Sequence, residues 1–494
     1  MKLGELATAC GYGVSCNADA VVTGFAIDHR KVAPGTVFGA FQGATVNGED
    51  FIPAAIAAGA IAVVARPEAA VGNAAHIADA EPRRAFAALA APFFAPFPAH
   101  VVAVTGTNGK TSTVEMTRQL WHMAGHRAAS IGTLGVTTPD GSVATGLTTP
   151  DIVTFLANLS GLSREGVTHV AYEASSHGLA QFRNEGPRVS AVAFTNLSRD
   201  HLDYHGTMDA YFAAKMRLFD EVVVEGGTAV IAQGMPSETE ACWAEQASEH
   251  ARKRGLRVFT VGERASGIGL LAREPGQLGQ RLELSYDGQR IVVMLPLIGA
   301  YQVANALVSA GLALATGGDA GRTFDALARL QPVRGRLERA AITASGAPVY
   351  IDYAHTPDAL EAAIAALRPH ARGRLITVFG AGGDRDQGKR APMGAAAMAG
   401  SDVVIVTDDN PRGEDPAAIR AMVLEGAVGA REVADRREAI AAAVAEAGEG
   451  DIVLVAGKGH EQGQIVGRGE NARVLPFDDV KVARECAGIP LGEK

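Results

Sequence analysis

The chain has 494 residues, more than a single hydrophobic core normally supports, so we expect two to four domains and take three as the working number. Hydrophobic residues make up 47% and charged residues 20% of the sequence, which excludes the disordered and fibrous classes. The formal net charge of -9 argues against broad binding to nucleic acid, although local phosphate sites are compatible with it.

Cysteine usage and apolar runs indicate the compartment. The four cysteines are scattered, with neither the C-x-x-C spacing of zinc sites nor the dense framework of secreted domains. The N-terminus lacks a signal-peptide pattern, and Pro92, Pro96 and Pro98 interrupt the most apolar window far short of the ~20 residues that a spanning helix needs. We expect a soluble, cytoplasmic protein without membrane insertion.

In chain order, residues 1–97 end in the proline-rich stretch 91–98, which is typical of a linker. A buried strand is predicted at 101–104, followed by a glycine-rich turn and a helix that stops at Gly125. Further strands alternate with helical patterns, which favours a mostly parallel, doubly wound sheet. These strands are predicted at 168–172, 189–194 and 229–231.

The dipeptide Asp287-Gly288 predicts a hairpin within 282–295. After residue 332 a second alternating series predicts another α/β unit, with strands at 349–352, 375–379, 403–407 and 452–455. The predicted fold class is therefore α/β, and polar residues follow several of these strands, where open α/β sheets bind ligands.

The segment T-G-T-N-G-K-T at 105–111 predicts a phosphate-binding loop between a strand and a helix. Backbone N–H groups would hold phosphate oxygens, Lys110 would neutralise their charge, and the Thr111 hydroxyl would bind magnesium. Val104 occupies the place of the first glycine of the usual Walker A pattern, and no N-K-x-D motif for guanine is present, which favours ATP. The predicted ATP contacts in this loop are Gly106, Thr107, Asn108, Gly109, Lys110, Thr111 and Ser112. The alternative is a glycine-rich turn with no ligand.

Two later blocks accompany this loop in order: E-A-S-S-H-G-L at 173–179 and T-N-L-S-R-D-H-L-D-Y-H-G at 195–206. Together the three blocks resemble the Mur ligase family, which also includes folylpolyglutamate synthases. The resemblance implies a UDP-sugar-binding domain at 1–97, a central P-loop ATPase-like domain at 98–332, and a C-terminal Rossmann-like domain at 333–494 that binds an amino acid.

The resemblance also implies the catalytic groups, which are Lys110, Glu173, His201 and Lys215. Magnesium would be held by Thr111, Glu173, His201 and Lys215, the lysine being carbamylated, which requires a neutral, desolvated amine. The family's adenine segment is matched at 299–305, where Tyr301 and Gln302 replace the usual Phe and first Asn. Asn305 is the nucleotide contact expected from this segment. Blocks at 334–338 and 352–358 resemble those by which the last domain of the family reaches ATP, which implies Arg336 and Asp352 as further contacts.

The remaining matches imply two substrates. Residues that match those holding a UDP-linked muramoyl dipeptide are Asp28, Gln42, Thr148, Thr149, Ser175, Gln181 and Arg183. Residues that match the diaminopimelate-adding members, through D-N-P-R and G-K-G-H-E blocks, are Arg385, Asp409, Asn410, Arg412, Gly457 and Glu461. Arg412 would pair with the distal carboxylate of diaminopimelate, which lysine lacks, so a lysine substrate would leave a buried guanidinium unpaired.

The implied activity is ATP-dependent addition of meso-diaminopimelate to the D-glutamyl side carboxylate of UDP-N-acetylmuramoyl-L-alanyl-D-glutamate through an acyl phosphate. This belongs to peptidoglycan synthesis, and with it to cell-wall biogenesis, cell shape and cell division; a monomer is expected. Two alternatives stay open. A folylpolyglutamate synthase would lack this type of first domain and the D-N-P-R block, and a P-loop sensor of a cell-wall precursor would bind nucleotide without turnover.

Overall fold

The computed structural model describes residues 1–43, 46–143, 148–235, 241–384 and 386–489. The chain forms two compact units. The first contains Met1–Gln233, Glu238–Thr260 and Val308–Ala320, and the second contains Gly234–Ser237, Val261–Leu307 and Gly321–Lys494. Residues 1–97 and the central parallel sheet fall in the same unit, so the boundaries of the three expected domains stay predictions.

The N-terminal region of the first unit is a parallel sheet in the order β1-β2-β3-β4. Its strands are β1 (Gly24–Ala26), β2 (Thr36–Gly39), β3 (Ala60–Ala65) and β4 (Ala75–Ala78). Its helices are α1 (Leu3–Ala9), α2 (Ile52–Ala57) and α3 (Pro82–Phe94). The alternating buried side chains of β3 face two hydrophobic clusters, one on each side of the sheet.

The predicted linker at 91–98 is wrong in its first half, because α3 continues through Pro92 to Phe94. A proline removes the N–H that would bond to the carbonyl four residues earlier, which here belongs to Ala88. The Cys10 thiol donates to that carbonyl oxygen at 3.3 Å and so replaces the lost donor. Phe93 also packs against Phe25, with ring centroids 5.3 Å apart, which anchors the last turn.

The central sheet follows the order β12-β11-β10-β5-β9-β6-β7-β8 and is parallel from β11 to β6. Its strands are β5 (His100–Thr105), β6 (Ala128–Gly132), β7 (Gly135–Thr138), β8 (Gly141–Val143), β9 (His169–Glu173), β10 (Val189–Phe194), β11 (Val223–Ala232) and β12 (Arg257–Gly262). Its helices are α4 (Lys110–Met123), α5 (Ile152–Arg164), α6 (Ser176–Ala180), α7 (Leu202–His205), α8 (Met208–Arg217) and α9 (Ala241–Lys253). The predicted strands are confirmed, and the carboxyl ends of the neighbouring strands β10, β5 and β9 lead into the three motif blocks.

The second unit begins with an antiparallel meander of β13 (Ile268–Gly276), β14 (Gly279–Tyr286) and β15 (Gln289–Leu295). Asp287 and Gly288 form the predicted turn, with φ of 48° and 73°, the positive values that a tight hairpin requires. Helices α10 (Ala300–Ala315) and α11 (Ala320–Leu327) follow along the chain.

The C-terminal sheet has the order β16-β17-β21-β18-β19-β20 and is parallel except at the β16-β17 pair. Its strands are β16 (Glu338–Ile342), β17 (Pro348–Asp352), β18 (Leu375–Phe379), β19 (Val403–Val406), β20 (Arg431–Glu432) and β21 (Ile452–Ala456), and a separate hairpin is formed by β22 (Gly463–Val466) and β23 (Arg473–Pro476). Its helices are α12 (Pro357–Leu367), α13 (Arg390–Gly400), α14 (Pro416–Gly426), α15 (Arg436–Glu446) and α16 (Asp479–Cys486). Hydrophobic clusters lie on both faces of the sheet, so the predicted second α/β unit is confirmed.

Candidate active site

The loop between β5 and α4 has the backbone shape of a phosphate cradle. Gly106 and Gly109 have φ of 145° and 86°, and a Cβ at Gly106 would overlap the Thr195 hydroxyl, so only glycine fits there. Lys110 lies in the first turn of α4, and its Nζ donates to the carbonyl oxygens of Gly106 at 3.0 Å and Thr107 at 2.8 Å. The ammonium group is therefore held over the loop where phosphate would bind.

The loop that follows β10 fixes this cradle. The Asn196 side-chain oxygen accepts from the Asn108 N–H at 2.9 Å, and the Thr195 hydroxyl donates to the Asn108 carbonyl at 2.6 Å. The Thr107 hydroxyl donates to the Ser198 carbonyl at 3.2 Å. The two loops therefore form one hydrogen-bonded structure, and Thr195 and Asn196 hold backbone atoms that the phosphate would approach.

Lys215 is 1% exposed on α8, and its Nζ donates to the Gly106 carbonyl at 2.8 Å. The same carbonyl accepts from Lys110, so two lysine side chains converge on one oxygen. Burial, and then the charge of Lys110, lower the pKa of Lys215 well below its ordinary value. Both effects favour the neutral form of the amine, the form that carbamylation requires, and carbamylation of Lys215 stays a prediction.

Glu173 ends β9, and its carboxylate accepts from the Thr133 N–H at 2.7 Å. Gly132 gives this carboxylate room, because a Cβ there would overlap it. Glu173 and Thr111 line the same small cleft beside the P-loop. A carboxylate and a hydroxyl oxygen at one cleft suit magnesium, which prefers oxygen ligands.

His201 precedes α7 in the left-handed conformation, with φ of 53°, and its ring lies edge-on to that of His177 at 4.8 Å. Within the described ranges, no group of three or more His, Cys, Asp and Glu side chains is placed to hold a metal ion. The four-residue magnesium set proposed from sequence mixes other residue types and stays a prediction.

Most of the residues assigned to the UDP-linked muramoyl dipeptide form one cluster at the ends of β9 and α6, and Asp28 and Gln42 lie apart from it. The Thr149 hydroxyl donates to the Glu173 carbonyl at 3.0 Å and accepts from the Ser175 N–H at 3.1 Å. Arg183 donates to the Thr149 carbonyl at 3.2 Å and to the Gln181 side-chain oxygen at 2.5 Å. Ser175 also caps α6, since its hydroxyl accepts from the Gly178 N–H at 3.0 Å.

Thr148 lies beside this cluster, with its hydroxyl 3.0 Å from that of Thr133.

Asp28 is placed differently. It caps the short helix His29–Lys31, and its two oxygens accept from Arg30, whose guanidinium holds the pKa of this carboxyl at about 2. Gln42 contributes its backbone carbonyl, which accepts from Arg83 at 3.0 Å.

In the second unit, the residues assigned to the incoming amino acid meet around Asn410. The Asn410 amide donates to Glu461 at 2.8 Å, and its oxygen accepts from the Lys458 Nζ at 3.0 Å and the Ile465 N–H at 2.9 Å. Lys458 also pairs with Asp409 at 3.0 Å. A Cβ at Gly457 would press against the Asp409 carboxylate, which explains glycine there.

Arg412 adopts φ of 51°, and its guanidinium donates to the carbonyls of Gly383 at 3.0 Å and Asn410 at 3.3 Å. Across the described part of the chain, no carboxylate forms an ion pair with Arg412, so its charge is available to a ligand. Arg385, assigned to the same pocket, lies outside the described residues.

The second unit also carries Asn305, Arg336 and Asp352. The buried Asp352 carboxylate accepts from the N–H groups of Leu337 and Ala354, both at 2.8 Å, and burial raises its pKa. These bonds fix the loop that carries Arg336, whose guanidinium stacks on the Tyr353 ring at 4.9 Å. The Asn305 amide donates to the Gln302 side-chain oxygen at 3.2 Å, so the replaced Gln302 and the assigned Asn305 form a hydrogen-bonded pair.

Three family models match the chain. They are described as Mur ligase family, catalytic domain (residues 21–93), Mur ligase middle domain (104–313) and Mur ligase, glutamate ligase domain (335–459). Together they cover more than half of the chain. The chain belongs to the Mur ligase family.

Individual relatives of this Mur ligase are similar along nearly their whole length. A UDP-N-acetylmuramoyl-L-alanyl-D-glutamate--2,6-diaminopimelate ligase from Zymomonas mobilis is 60% identical over 486 residues, which is 98% of each chain. A Bradyrhizobium diazoefficiens protein of the same name is 53% identical over 93% of each chain. A solved structure with that name is 32% identical, with a TM-score of 0.74 over 99% of both chains, which confirms the fold class.

Sequence reasoning missed several residues that this member of the family places at the site. Thr133 binds the Glu173 carboxylate, Lys458 supports Asp409 and Asn410, and Arg83 lies beside Arg183. No spacing rule or motif points to Thr133 and Arg83, which approach the site from other elements; Lys458 lies within the G-K-G-H-E block, but the block alone does not show that its side chain contacts Asp409 and Asn410. Within the described residues, no helix has the length and apolar character needed to cross a membrane.

Proposed function

We propose that this Mur ligase joins meso-diaminopimelate to the D-glutamyl side carboxylate of UDP-N-acetylmuramoyl-L-alanyl-D-glutamate, with ATP converted to ADP and phosphate. The observation that carries the proposal is Arg412, a guanidinium without a carboxylate partner among the described residues, held beside Asn410 and Glu461. Diaminopimelate offers the carboxylate and ammonium that would pair with Arg412 and Glu461. The name of the 60% identical relative supports the same substrates.

In the first step, a side-chain carboxylate oxygen of the dipeptide attacks the γ-phosphorus of ATP, and ADP leaves. Lys110 neutralises charge on the transferring phosphoryl group, and the fixed backbone N–H groups of the P-loop orient it. Magnesium, bound when present by Thr111, Glu173, His201 and carbamylated Lys215, would supply charge neutralisation and polarise the phosphate oxygens. Arg336, Asn305 and Asp352 are proposed to contribute to the nucleotide site.

In the second step, the diaminopimelate amine attacks the carbonyl carbon of the acyl phosphate. The carbon–nitrogen bond forms, the bond to the phosphate oxygen breaks, and the amine loses a proton as the amide is completed. Arg412 and Glu461 would hold the far end of diaminopimelate, so that its reacting amine is placed by binding and not by chance collision. The product is a UDP-linked tripeptide for peptidoglycan synthesis, made by a cytoplasmic monomer.

The test is ATP-dependent phosphate release with the UDP-muramoyl dipeptide and, in parallel, meso-diaminopimelate or L-lysine as acceptor. Turnover is expected with diaminopimelate, and Arg412→Ala should reduce kcat/KM by roughly 30-fold or more, because truncating a buried charge partner costs about 2–5 kcal/mol. Arg252→Ala, at an exposed position on α9, is the matched control.

Other results would redirect the assignment. Release with lysine would keep the ligase activity and contradict the role of Arg412. Release with glutamate and a folate acceptor would favour a folylpolyglutamate synthase. Nucleotide binding without phosphate release under all these conditions would favour a sensor.

A further inference from the structure

Arg83 is the second residue of α3, and its side chain reaches the loop that follows β2. Its guanidinium lies over the Phe41 ring at 4.8 Å and donates to the Gln42 carbonyl at 3.0 Å. This loop belongs to the region assigned to the UDP end of the substrate. Arg83 is half-buried, so its position is set by packing and is not that of a solvated surface arginine.

The next residue of α3 shows which part of the central region this helix faces. The guanidinium of Arg84 lies 5.9 Å from the centre of the Phe182 ring, and Phe182 directly precedes Arg183. Burial lowers the pKa of Arg83, and the positive charge of Arg183 lowers it further. Arg83 therefore stands between the loop after β2 and the cluster assigned to the dipeptide.

Two guanidinium groups next to each other are unfavourable unless an anion separates them. Burial lowers the pKa of both Arg83 and Arg183, so both charges are partly withdrawn from water. Among the residues that the structure describes, no carboxylate lies within ion-pair distance of either guanidinium, although the charge of Asp151 raises the pKa of Arg183 and so offsets part of the effect of burial. Their neighbours differ: Arg84 pairs with Glu221 at 3.1 Å and Arg217 pairs with Glu185 at 3.3 Å.

We propose that Arg83 and Arg183 form a two-guanidinium subsite for an oxyanion of the nucleotide-linked substrate, with Arg83 as a substrate-binding residue. The inference rests on the proposed function for the identity of that substrate. Guanidinium groups bind the oxygens of phosphate and carboxylate equally well, and this substrate carries both, in its diphosphate and in its dipeptide. Arg83 then links recognition of the nucleotide end to recognition of the acceptor end.

The experiment measures equilibrium binding by titration calorimetry, together with steady-state turnover. Arg83→Gln removes the positive charge, whereas Arg83→Lys keeps the charge but lacks the paired N–H donors of a guanidinium. Arg84→Gln is the matched control, since Arg84 is exposed and already forms an ion pair with Glu221. The ligands are the UDP-muramoyl dipeptide and UDP-N-acetylglucosamine, which has the diphosphate but no carboxylate.

Arg83→Gln is expected to raise KM for the UDP-muramoyl dipeptide about tenfold to 100-fold, as for loss of one or two charged hydrogen bonds, with kcat and KM for ATP nearly unchanged. Arg83→Lys should recover part of the loss, and Arg84→Gln should have no effect. The unfolding temperature of Arg83→Gln should stay the same or rise, because a like-charge contact is relieved. Equal weakening for both ligands identifies the diphosphate as the bound anion, whereas weakening for the dipeptide ligand alone identifies a carboxylate.

Unchanged affinity of Arg83→Gln for both ligands would overturn the inference. So would a lowered unfolding temperature with no rescue by Arg83→Lys, which is the result expected of a structural arginine. Failure of the proposed function would give a different result. Wild-type protein that binds UDP-N-acetylglucosamine but releases no phosphate would contradict the ligase assignment. The comparison of ligand affinity between wild type and Arg83→Gln would still decide the role of Arg83.

Discussion

Lys215 is buried against the P-loop in a way that disfavours a charged ammonium group. Its Nζ shares the Gly106 carbonyl with Lys110, and its pKa is driven down by burial and by that second lysine. A neutral amine can react with carbon dioxide, whereas an ammonium cannot. The chemistry implied by the family resemblance is therefore compatible with what the structure does to this residue.

A pair of substitutions separates the possible roles of Lys215. Lys215→Arg keeps a cation and Lys215→Met keeps the volume, but neither can be carbamylated, so phosphate release should fall at least ~100-fold in both, on the scale of losing one group that stabilises the transition state. Lys215→Met should remain folded, since an apolar side chain of similar length replaces a buried polar group. Lys253→Met, at an exposed site, should behave as wild type.

The outcome that contradicts carbamylation is activity in Lys215→Arg. It would show that Lys215 acts as a cation. Incubation of the wild-type protein with ¹³C-bicarbonate should also give a carbamate carbon signal that Lys215→Met lacks.

At single residues, the sequence predicts the site well where chemistry is tied to spacing. Gly106, Gly109 and Lys110 form the loop that their order indicated. The cap and ion pair that Asp28 forms with Arg30 were not indicated by the motif, and its assignment to substrate binding stays a prediction. Arg83 was missed, because its meaning comes from a charge 100 residues later in the chain, which only the fold brings near.

Among the secondary-structure elements, the parallel strands were predictable because each is a short apolar run followed by a turn signal. Helix α3 was not fully predictable, since Pro92 normally marks the end of a helix. The compensating donor, the Cys10 thiol, lies 78 residues before Ala88, whose carbonyl it binds, and burial raises the pKa of the thiol, so it keeps the proton it donates. Tertiary contacts of this kind are invisible to a local pattern.

The hairpin β22–β23 is attached to the D-N-P-R loop through the Asn410 side chain and the Arg412 backbone. Asn410 accepts the Ile465 N–H at the hairpin and donates to Glu461, while the Arg412 N–H donates to the Ile465 carbonyl at 3.0 Å. Asn410 thus helps to hold the hairpin β22–β23 in place. It also contributes to the orientation of Glu461 and Arg412, the two residues proposed to hold diaminopimelate.

Two variants at this position separate docking of the hairpin from orientation of Glu461. Asn410→Ala should lower the free energy of unfolding by about 1–3 kcal/mol and raise KM for diaminopimelate, because three hydrogen bonds are lost. Asn410→Asp keeps the acceptor for Ile465 and Lys458 but sets a carboxylate against Glu461, so it should recover stability and not KM. Asn471→Ala, exposed between the same two strands, is the control, and full recovery of KM in Asn410→Asp would contradict the role given to Glu461.

For the molecule as a whole, the two ends of the central sheet have different tasks. The carboxyl ends of β5, β9 and β10 carry the P-loop, Glu173 and the loop that fixes them. The amino ends of β5 and β9 carry His100 and His169, whose rings stack at 4.4 Å, and His126 adds a third ring at 4.1 Å. One end carries the residues proposed to bind ligands, and the other stacks three imidazole rings around the buried His169.

This stack predicts how stability depends on pH. His169 is 4% exposed, and burial together with His126 and His100 lowers its pKa from 6.5 to about 3. The unfolded chain takes up a proton near pH 6.5 whereas the folded chain resists it down to about pH 3, so His169 contributes full stability above 6.5 and progressively loses it as pH falls through this window. The slope from this group is at most about 1.4 kcal/mol per pH unit.

His169→Phe keeps a stacked ring and removes the titration, so the variant should lose less unfolding free energy than wild type between pH 6.5 and 4. Denaturant unfolding followed at each pH measures this difference, with His122→Gln, at an exposed position on α4, as the control. The variant also loses the contact between the Thr168 hydroxyl and the His169 ring at 2.9 Å, which lowers stability by the same amount at every pH. The test therefore compares the slopes of unfolding free energy against pH and not the absolute stabilities. Parallel pH profiles for wild type and His169→Phe would show that the acid sensitivity of the first unit arises elsewhere.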